Sequence, residues 1–369
     1  MLKDNMNDKL NFNNRYYYSK LNNSEKRLYE FMVNCIINHQ MKFIYSYDFN
    51  NIANNLPIFT VNPLEVIVIT KVWNYMLLDF PEFFFVHEYE FTYDDDIITM
   101  GRENDYYTVD EINDINNKLE VILSKFDCLK NDYEIVFAVN DFICNNYEYD
   151  NITDDYYLST DEDDFDIERF KSHREKFTVA GIVKYGIGVC SALSGLAQFI
   201  LQRKGIKVVN VFGNKENEKF GHKWLLVNLD DEYYNLDVTF NMTISKDKSL
   251  PQNMFLNNNY DLSKYIYLPS EEDECKLLKN SKGLKFNYYV MNDLYFDRID
   301  LLLEKIYSFI INSDKYKVNY LYFSIDSKLN KTVNIRNIIS EYLESINIKF
   351  ETFEIVSKYN YYTMITKLT

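Results

Sequence analysis

The stretch from Gly188 to Leu201 constrains the fold most, because it predicts a buried helix with a cysteine in its first turn. Apolar side chains recur at helical spacing, at positions 189, 193, 196, 197, 200 and 201. Arg203 and Lys204 suit the negative end of the helix dipole, and Gly205 supplies a stop signal. Cys190 therefore lies where unpaired backbone N–H groups favour a thiolate over a thiol.

Three strands are predicted to follow this helix. They cover residues 207–213, 222–229 and 233–238, with an acidic turn at 230–232 between the last two. An antiparallel hairpin that closes at this turn brings the His222 end of one strand near the Asp237 end of the other. A thiol at a helix start, an imidazole that accepts its proton and a carboxylate that orients the imidazole are the components of nucleophilic catalysis. Cys190, His222 and Asp237 are thus candidates for a catalytic triad.

These residues resemble the transglutaminase-like superfamily, the circularly rearranged relatives of papain. Four motifs match in family order: Gly188-Val189-Cys190, Gly205-Ile206, His222-Lys223-Trp224 and Asp237-Val238-Thr239. Upstream, the run Asp79-Phe80-Pro81-Glu82-Phe83-Phe84 resembles an Asp-Asn-Pro-Glu-Phe-Phe stretch of clostridial members, so a bacterial protein is expected. Two positions depart from the family pattern: Ala192-Leu193-Ser194 stands for Gly-Tyr-Ala, and Phe240 stands for Trp. Neither departure changes the triad.

The resemblance implies an α+β protein with a papain-like core, in which the Cys190 helix packs on an antiparallel sheet. It also implies a cysteine enzyme that acts on amide bonds of protein or peptide substrates through a thioester on Cys190. His222 would be the general base and Asp237 its orienting partner. Hydrolysis, as in a peptidase or amidase, is slightly favoured over transfer to an amine. The alternative is a catalytically inactive scaffold or protein-binding module with the same fold.

An oxyanion intermediate needs hydrogen-bond donors, and the backbone N–H of Cys190 is the predicted first one. Tyr185 and the segment 156–176 are candidates for the second donor. No cofactor and no metal are expected, because the sequence has no phosphate-binding glycine motif and no HExxH pattern.

Net charge and cysteine content limit the classes of binding partner and the cellular compartment that we expect. A formal net charge of −16 without a local basic patch disfavours nucleic-acid binding. Five widely spaced cysteines without a CxxC pair favour reduced thiols. No apolar run reaches the length of a membrane helix. We therefore expect a cytoplasmic protein without membrane partners, and the oligomeric state stays open.

Three regions are predicted: an N-terminal α+β region at 1–130, the catalytic core at 131–280, and a C-terminal α/β, ferredoxin-like module at 285–369. Predicted helices cover residues 24–40, 62–78, 108–126, 132–149, 296–312 and 333–346. Outside the core, predicted strands cover residues 83–86, 89–93, 97–100, 286–291, 316–325, 350–356 and 361–367. The acidic segment 151–176 is expected to be a solvated loop, with a lid or a substrate-discriminating loop as the alternative. A cation site is disfavoured, because the Asp-x-Asp-x-Asp-Gly order of a calcium loop is absent.

Overall fold

The structure is a computed structural model of the chain. It describes residues 12–39, 42–45, 58–59, 66–86, 91–94, 97–100, 107–151, 173–214, 221–246, 255–257, 268–269, 276–277, 280–281, 283–358 and 361–369. The start of the helix predicted at 62–78 and most of the acidic segment 151–176 lie outside these residues.

The described residues contain both helices and sheets, so the α+β class is confirmed. The helices are α1 (Tyr16–Ser19), α2 (Asn23–Ile37), α3 (Val66–Asp79), α4 (Val109–Ser124), α5 (Asp132–Asn146), α6 (Val179–Tyr185), α7 (Cys190–Arg203), α8 (Val238–Lys246), α9 (Tyr288–Met291), α10 (Ile299–Ile311), α11 (Ser327–Thr332) and α12 (Ile335–Ser345). The strands are β1 (Lys42–Tyr45), β2 (Ile58–Phe59), β3 (Phe91–Asp94), β4 (Ile97–Met100), β5 (Glu148–Tyr149), β6 (Ile187–Gly188), β7 (Val208–Asn214), β8 (Gly221–Leu229), β9 (Glu232–Leu236), β10 (Phe255–Asn257), β11 (Leu268–Pro269), β12 (Tyr295–Phe296), β13 (Asn319–Ile325), β14 (Phe350–Lys358) and β15 (Tyr361–Leu368).

The chain divides into two compact units. The first comprises Met1–Phe212 and Lys219–Asn228, and the second comprises Gly213–Glu218 and Leu229–Thr369. The sequence predicts three regions with other boundaries, at 1–130, 131–280 and 285–369. These regions stay predictions.

The first unit has an N-terminal core built from helices α2 and α3. Leu28, Met32 and Ile36 recur every four residues on α2 and are fully buried together with Trp73 of α3. Helix α2 begins with a capping box. The Asn22 side chain accepts hydrogen bonds from backbone amides of the first turn, and the Glu25 side chain accepts one from the Asn22 amide. The start of the helix predicted at 108–126 is confirmed, since Thr108 and Glu111 form the same kind of capping box at the start of α4.

A four-stranded sheet with the order β2-β1-β4-β3 belongs to the same unit. Strand β1 runs parallel to β2 and antiparallel to β4, which also pairs antiparallel with β3. The predicted strand at 83–86 is wrong. Pro81–Phe83 is a 3-10 helix with the proline at its start, and Phe80 and Phe83 stack on each other in the core. A run of aromatic residues fits a strand pattern equally well, but the fixed φ of proline favours a helical turn here.

In the second unit, β9 pairs antiparallel with β10. Its C-terminal sheet has the order β12-β13-β15-β14, in which β12 is parallel to β13 and the other pairs are antiparallel. Helices α10 and α12 bury apolar residues spaced by four on this sheet, namely Leu302, Ile306 and Ile310 from α10 and Ile335, Ile339 and Leu343 from α12. The predicted hairpin at the chain end is confirmed.

The predicted strand at 286–291 is wrong, because Tyr288–Met291 is a short helix. The Asn287 side chain accepts a hydrogen bond from the Tyr289 backbone amide and caps that helix. The first strand of the module is instead Tyr295–Phe296. The module keeps the predicted order of strand, helix, strand, helix, strand and strand, with α11 added before α12. This order differs from the βαββαβ order of ferredoxin-like modules.

No helix in the described part of the chain is both long enough and apolar enough to cross a membrane.

Candidate functional site

Cys190 is the first residue of helix α7, as the sequence predicts, and it is half-buried. The preceding residue, Val189, is extended and forms the helix cap. Among the residues that the structure describes, no side chain caps this helix. The first backbone N–H groups of a helix have no partner within the helix, so an uncapped start leaves the Cys190 amide available to an incoming group.

Gly188, two residues before the cysteine, is required by close packing. A Cβ atom at this position would lie 2.7 Å from the Cβ of Ala192 and 2.9 Å from the Cδ1 of Ile182. Gly188 also belongs to β6, which pairs in parallel with β5. The Gly-x-Cys spacing is therefore explained by a strand that meets the helix start without room for a side chain.

The predicted helix at 132–149 ends earlier than expected, at Asn146. The residues after it form β5, whose backbone pairs with β6 just before Cys190. The amide of Asp150 continues this contact and donates to the carbonyl of Gly188 at 3.1 Å. Backbone pairing with β5 thus holds in place the strand that leads into Cys190.

Ser194 joins helix α7 to strand β8. Its side chain is fully buried, and the hydroxyl donates to the backbone carbonyl of Lys223 at 3.1 Å. Ser194 is four residues after Cys190, so the two side chains lie on the same face of the helix. Lys223 directly follows His222 on its strand. The structure therefore brings the cysteine-bearing helix face onto the strand that carries the histidine.

In the sequence, Ser194 stands out only as a departure from the family pattern, and this contact is not predicted. Ser194, Gln198 and Gln202 follow the cysteine at intervals of four, and such a row of polar residues on one face of a buried helix is the signal that could have indicated it.

His222 lies near the start of β8 and is half-buried. Its ring stacks on the indole of Trp224, with 5.7 Å between ring centroids and 19° between the planes. The two residues point to the same side of the strand because they are two positions apart. Trp224 is fully buried. The tryptophan is therefore a buried core residue on which the imidazole packs.

Asp237 belongs to the second compact unit and is fully buried. The predicted strand at 233–238 ends at Leu236, and Val238 begins helix α8. The carboxylate of Asp237 accepts a hydrogen bond from the backbone amide of Phe240 at 2.9 Å, as a residue at a helix start does. The turn before this strand is confirmed, since Asp230 and Asp231 both have positive φ, as in a tight hairpin turn. The role of Asp237 beside His222 stays a prediction.

Tyr185, a candidate for the second oxyanion-hole donor, forms a hydrogen bond with Glu175. Its hydroxyl donates to the buried carboxylate of Glu175 at 2.5 Å. The other described cysteines differ from one another in exposure: Cys35 is buried, Cys128 is exposed and Cys144 is half-buried. Burial raises the pKa of the Cys35 thiol to about 11.

The motif that begins at Asp79 has an architectural role. Arg15, which is 2% exposed, donates to the carbonyl oxygen of Asp79 and to the side chain of Gln202 near the end of helix α7. The same guanidinium pairs with Glu82 at 3.2 Å and lies over the Phe80 ring. This cluster ties the amino-terminal segment to the far end of the Cys190 helix.

The carboxylate of Asp79 is fully buried and accepts three hydrogen bonds. Its donors are the backbone amides of Tyr17 and Tyr18 and the hydroxyl of Tyr29. Burial raises the pKa of Asp79 to about 6, although the charge of Arg15 and these donors act in the opposite direction. The motif is evident in the sequence, but this function is not, because its partners are at least 50 residues away in the chain.

Comparison with known proteins agrees with the assignment of the central region. Residues 117–265 match the family model of the transglutaminase-like domain. Among solved structures, one titled "Crystal structure of a TGase" matches at 12% identity and a TM-score of 0.30, over 53% of this chain and 55% of that chain. The match thus spans about half the length of that chain. No curated protein matches this chain.

Proposed function

We propose that the protein is a cysteine enzyme that acts on amide bonds of protein or peptide substrates, with its catalytic residues in the range 117–265, which matches the transglutaminase-like domain. Cys190 is the proposed nucleophile, His222 the general base and Asp237 the residue that orients the imidazole. The proposal includes a papain-like core around the Cys190 helix.

The hydrogen bond between Ser194 and Lys223 is the observation that carries this proposal. Four residues of helix correspond to a rise of about 6 Å, so Cys190 lies one turn before this bond on the same face. His222 is adjacent to Lys223 in the chain. A direct link between the two elements so close to both side chains supports a thiol and an imidazole that act together.

Asp237 enters the proposal through its motif and its burial. It follows the His222-Lys223-Trp224 motif in the order of the superfamily, and a fully buried carboxylate requires hydrogen-bonded or charged neighbours. By its place in the motif order, Asp237 takes the role of orienting the imidazole, which becomes charged during the reaction.

In the proposed reaction, the Cys190 sulfur attacks the amide carbon while His222 takes up the thiol proton. The carbonyl oxygen becomes an oxyanion, and the uncapped amide of Cys190 is suited to stabilise it. The C–N bond then breaks, and His222 returns the proton to the leaving amine. A thioester on Cys190 remains.

Water resolves this thioester in the version that we favour, giving a carboxylic acid and the free thiol. Cys190 is half-buried, so solvent has access to it. An amine that enters instead of water would give a new amide. To distinguish the two outcomes, the protein is incubated with glutamine-containing peptides, with and without a primary amine. Mass spectrometry then identifies the product of hydrolysis or of amine transfer by its mass.

The first test needs no substrate. We expect limiting iodoacetamide at about pH 6 to label Cys190 at least about tenfold faster than the exposed Cys128, and replacement of His222 by alanine to remove this difference. Peptide mass spectrometry assigns the label, and Cys128 is the internal control. Equal labelling of both thiols would contradict the enzyme proposal and favour a scaffold with the same fold.

A further inference from the structure

The backbone on both sides of Cys190 is attached to one preceding turn. The amide of Val189 donates to the carbonyl of Lys176 at 3.0 Å. The hydroxyl of Ser191 donates to the carbonyl of Phe177 at 2.7 Å. These two donors flank the cysteine, so any interaction that fixes the turn also fixes the backbone that carries the sulfur.

Glu175 anchors this turn: residues 173–175 are helical, and residues 176–178 form the turn itself. Its side chain is 1% exposed and forms an ion pair with Lys184. The second carboxylate oxygen accepts the hydrogen bond from Tyr185. The hydroxyl of Tyr107 also bonds to this carboxylate, and burial together with the negative charge raises the pKa of Tyr107 above its ordinary value. Three donors from two separate parts of the chain thus converge on one buried carboxylate.

The backbone of Glu175 is fixed as firmly as its side chain. Its carbonyl accepts from the amide of Thr178 at 2.9 Å and from the Thr178 hydroxyl at 3.0 Å. Gly181 packs directly against it, since a Cβ atom there would lie only 2.4 Å from the same carbonyl oxygen. The turn is therefore packed tightly against the start of helix α6.

A second ion pair holds the other side of the turn. The Lys176 ammonium contacts the carboxylate of Asp150, which is 1% exposed, at 2.8 Å. Asp150 follows β5, the strand that pairs just before the cysteine. The turn is thereby attached to both segments that lead into the Cys190 helix.

We propose that Glu175 is a positioning residue for Cys190. It acts through the carbonyl groups of Lys176 and Phe177, which hold the flanking residues, and takes no part in the bond-making steps. This inference rests on the proposed function, because the geometry of Cys190 affects reactivity only if its sulfur is activated. Loss of the carboxylate charge would leave the Lys184 ammonium without its buried partner and release the turn.

The test compares two variants that each neutralise a buried, ion-paired glutamate. Glu175→Gln acts at the start of the Cys190 helix, whereas Glu82→Gln acts at the Arg15 cluster near its end. We expect Glu175→Gln to slow alkylation of Cys190 about tenfold and Glu82→Gln to change it less than about twofold, at a temperature below both melting transitions. The labelling rate of Cys128 should stay constant in both variants.

A pH series supplies the readout that a purely structural role would not change. With Glu175→Gln, the alkylation profile of Cys190 should move toward that of Cys128, and Glu175→Asp, which keeps the charge, should restore part of the difference. If Glu175→Gln does not fold, Tyr185→Phe removes one hydrogen bond to the carboxylate and should slow Cys190 by a smaller factor.

An unchanged Cys190 rate in a folded Glu175→Gln or Tyr185→Phe variant would overturn the inference, even if the melting temperature falls. This outcome differs from failure of the proposed function. In that case the wild-type protein itself would label Cys190 no faster than Cys128.

Discussion

Replacement of Ser194 by alanine tests how the Cys190 helix is fixed to the strand of His222. The serine side chain is fully buried, and its hydroxyl donates to the carbonyl of Lys223 at 3.1 Å. Alanine removes the donor and leaves the rest of the side chain in place. Loss of this part-buried hydrogen bond lowers the free energy of unfolding by about 0.5–1.5 kcal/mol. Urea denaturation of the full chain measures this change.

The same variant should also slow the reaction of Cys190 with iodoacetamide. A loss of about 1.4 kcal/mol in the transition state corresponds to a tenfold slower reaction, so we expect a decrease of up to about tenfold. Labelling of Cys128 reports whether general reactivity has changed. The physical reason is that the hydrogen bond lies one helical turn from the sulfur and beside His222.

Gln198→Met is the matched control for Ser194→Ala. Gln198 lies on the same helix, is 1% exposed and donates at 2.6 Å to the carbonyl of Leu78, which belongs to α3 and not to the strand of His222. Both variants lose one buried hydrogen bond from the helix to a backbone carbonyl. If Ser194→Ala slows Cys190 no more than Gln198→Met does, the proposed effect of the Ser194 bond on the reactive site is refuted.

Three further predictions concern Asp79, Gly188 and Cys35 of the first unit. Asp79 has a folded pKa of about 6 against an ordinary value of 3.8, so its stabilising effect is present below about pH 4 and is lost as the pH rises through 6. The free-energy difference between wild type and Asp79→Asn should therefore fall by about 3 kcal/mol over this interval in urea titrations, and a constant difference would contradict the assignment. Gly188→Ala should lower the free energy of unfolding by about 1–3 kcal/mol, because its Cβ would overlap Ala192, and an unchanged urea midpoint would argue against this packing. Cys35, whose pKa is raised to about 11, should resist alkylation at about pH 8 in the folded protein and react after unfolding in urea, whereas Cys128 should react in both states.

Local patterns in the sequence are sufficient for several elements. The apolar spacing after Cys190 predicts helix α7, and the Thr108 capping box predicts the start of α4. The acidic turn predicts the sharp reversal at Asp230 and Asp231. Each of these signals acts between residues a few positions apart, and such short-range interactions can be read directly from the chain.

Other features require contacts between distant parts of the chain. The aromatic run 83–86 fits a strand pattern, but Phe83 stacks on Phe80 in a 3-10 turn within the core. Asp79 belongs to a motif visible in the sequence, but its donors come from Tyr17, Tyr18 and Tyr29. Apolar spacing does not state which surface a side chain will meet, so the sequence alone does not distinguish these outcomes.

The candidate site also has a part that the sequence predicts and a part that only the structure shows. Cys190, His222 and Asp237, together with their motif order, are determined by the sequence itself. Only the tertiary structure shows that Ser194 joins the cysteine helix to the histidine strand and that Glu175 anchors the turn beside Cys190. The physical reason is that a buried polar group is stable only with a partner, and the identity of that partner depends on how the folded elements pack together.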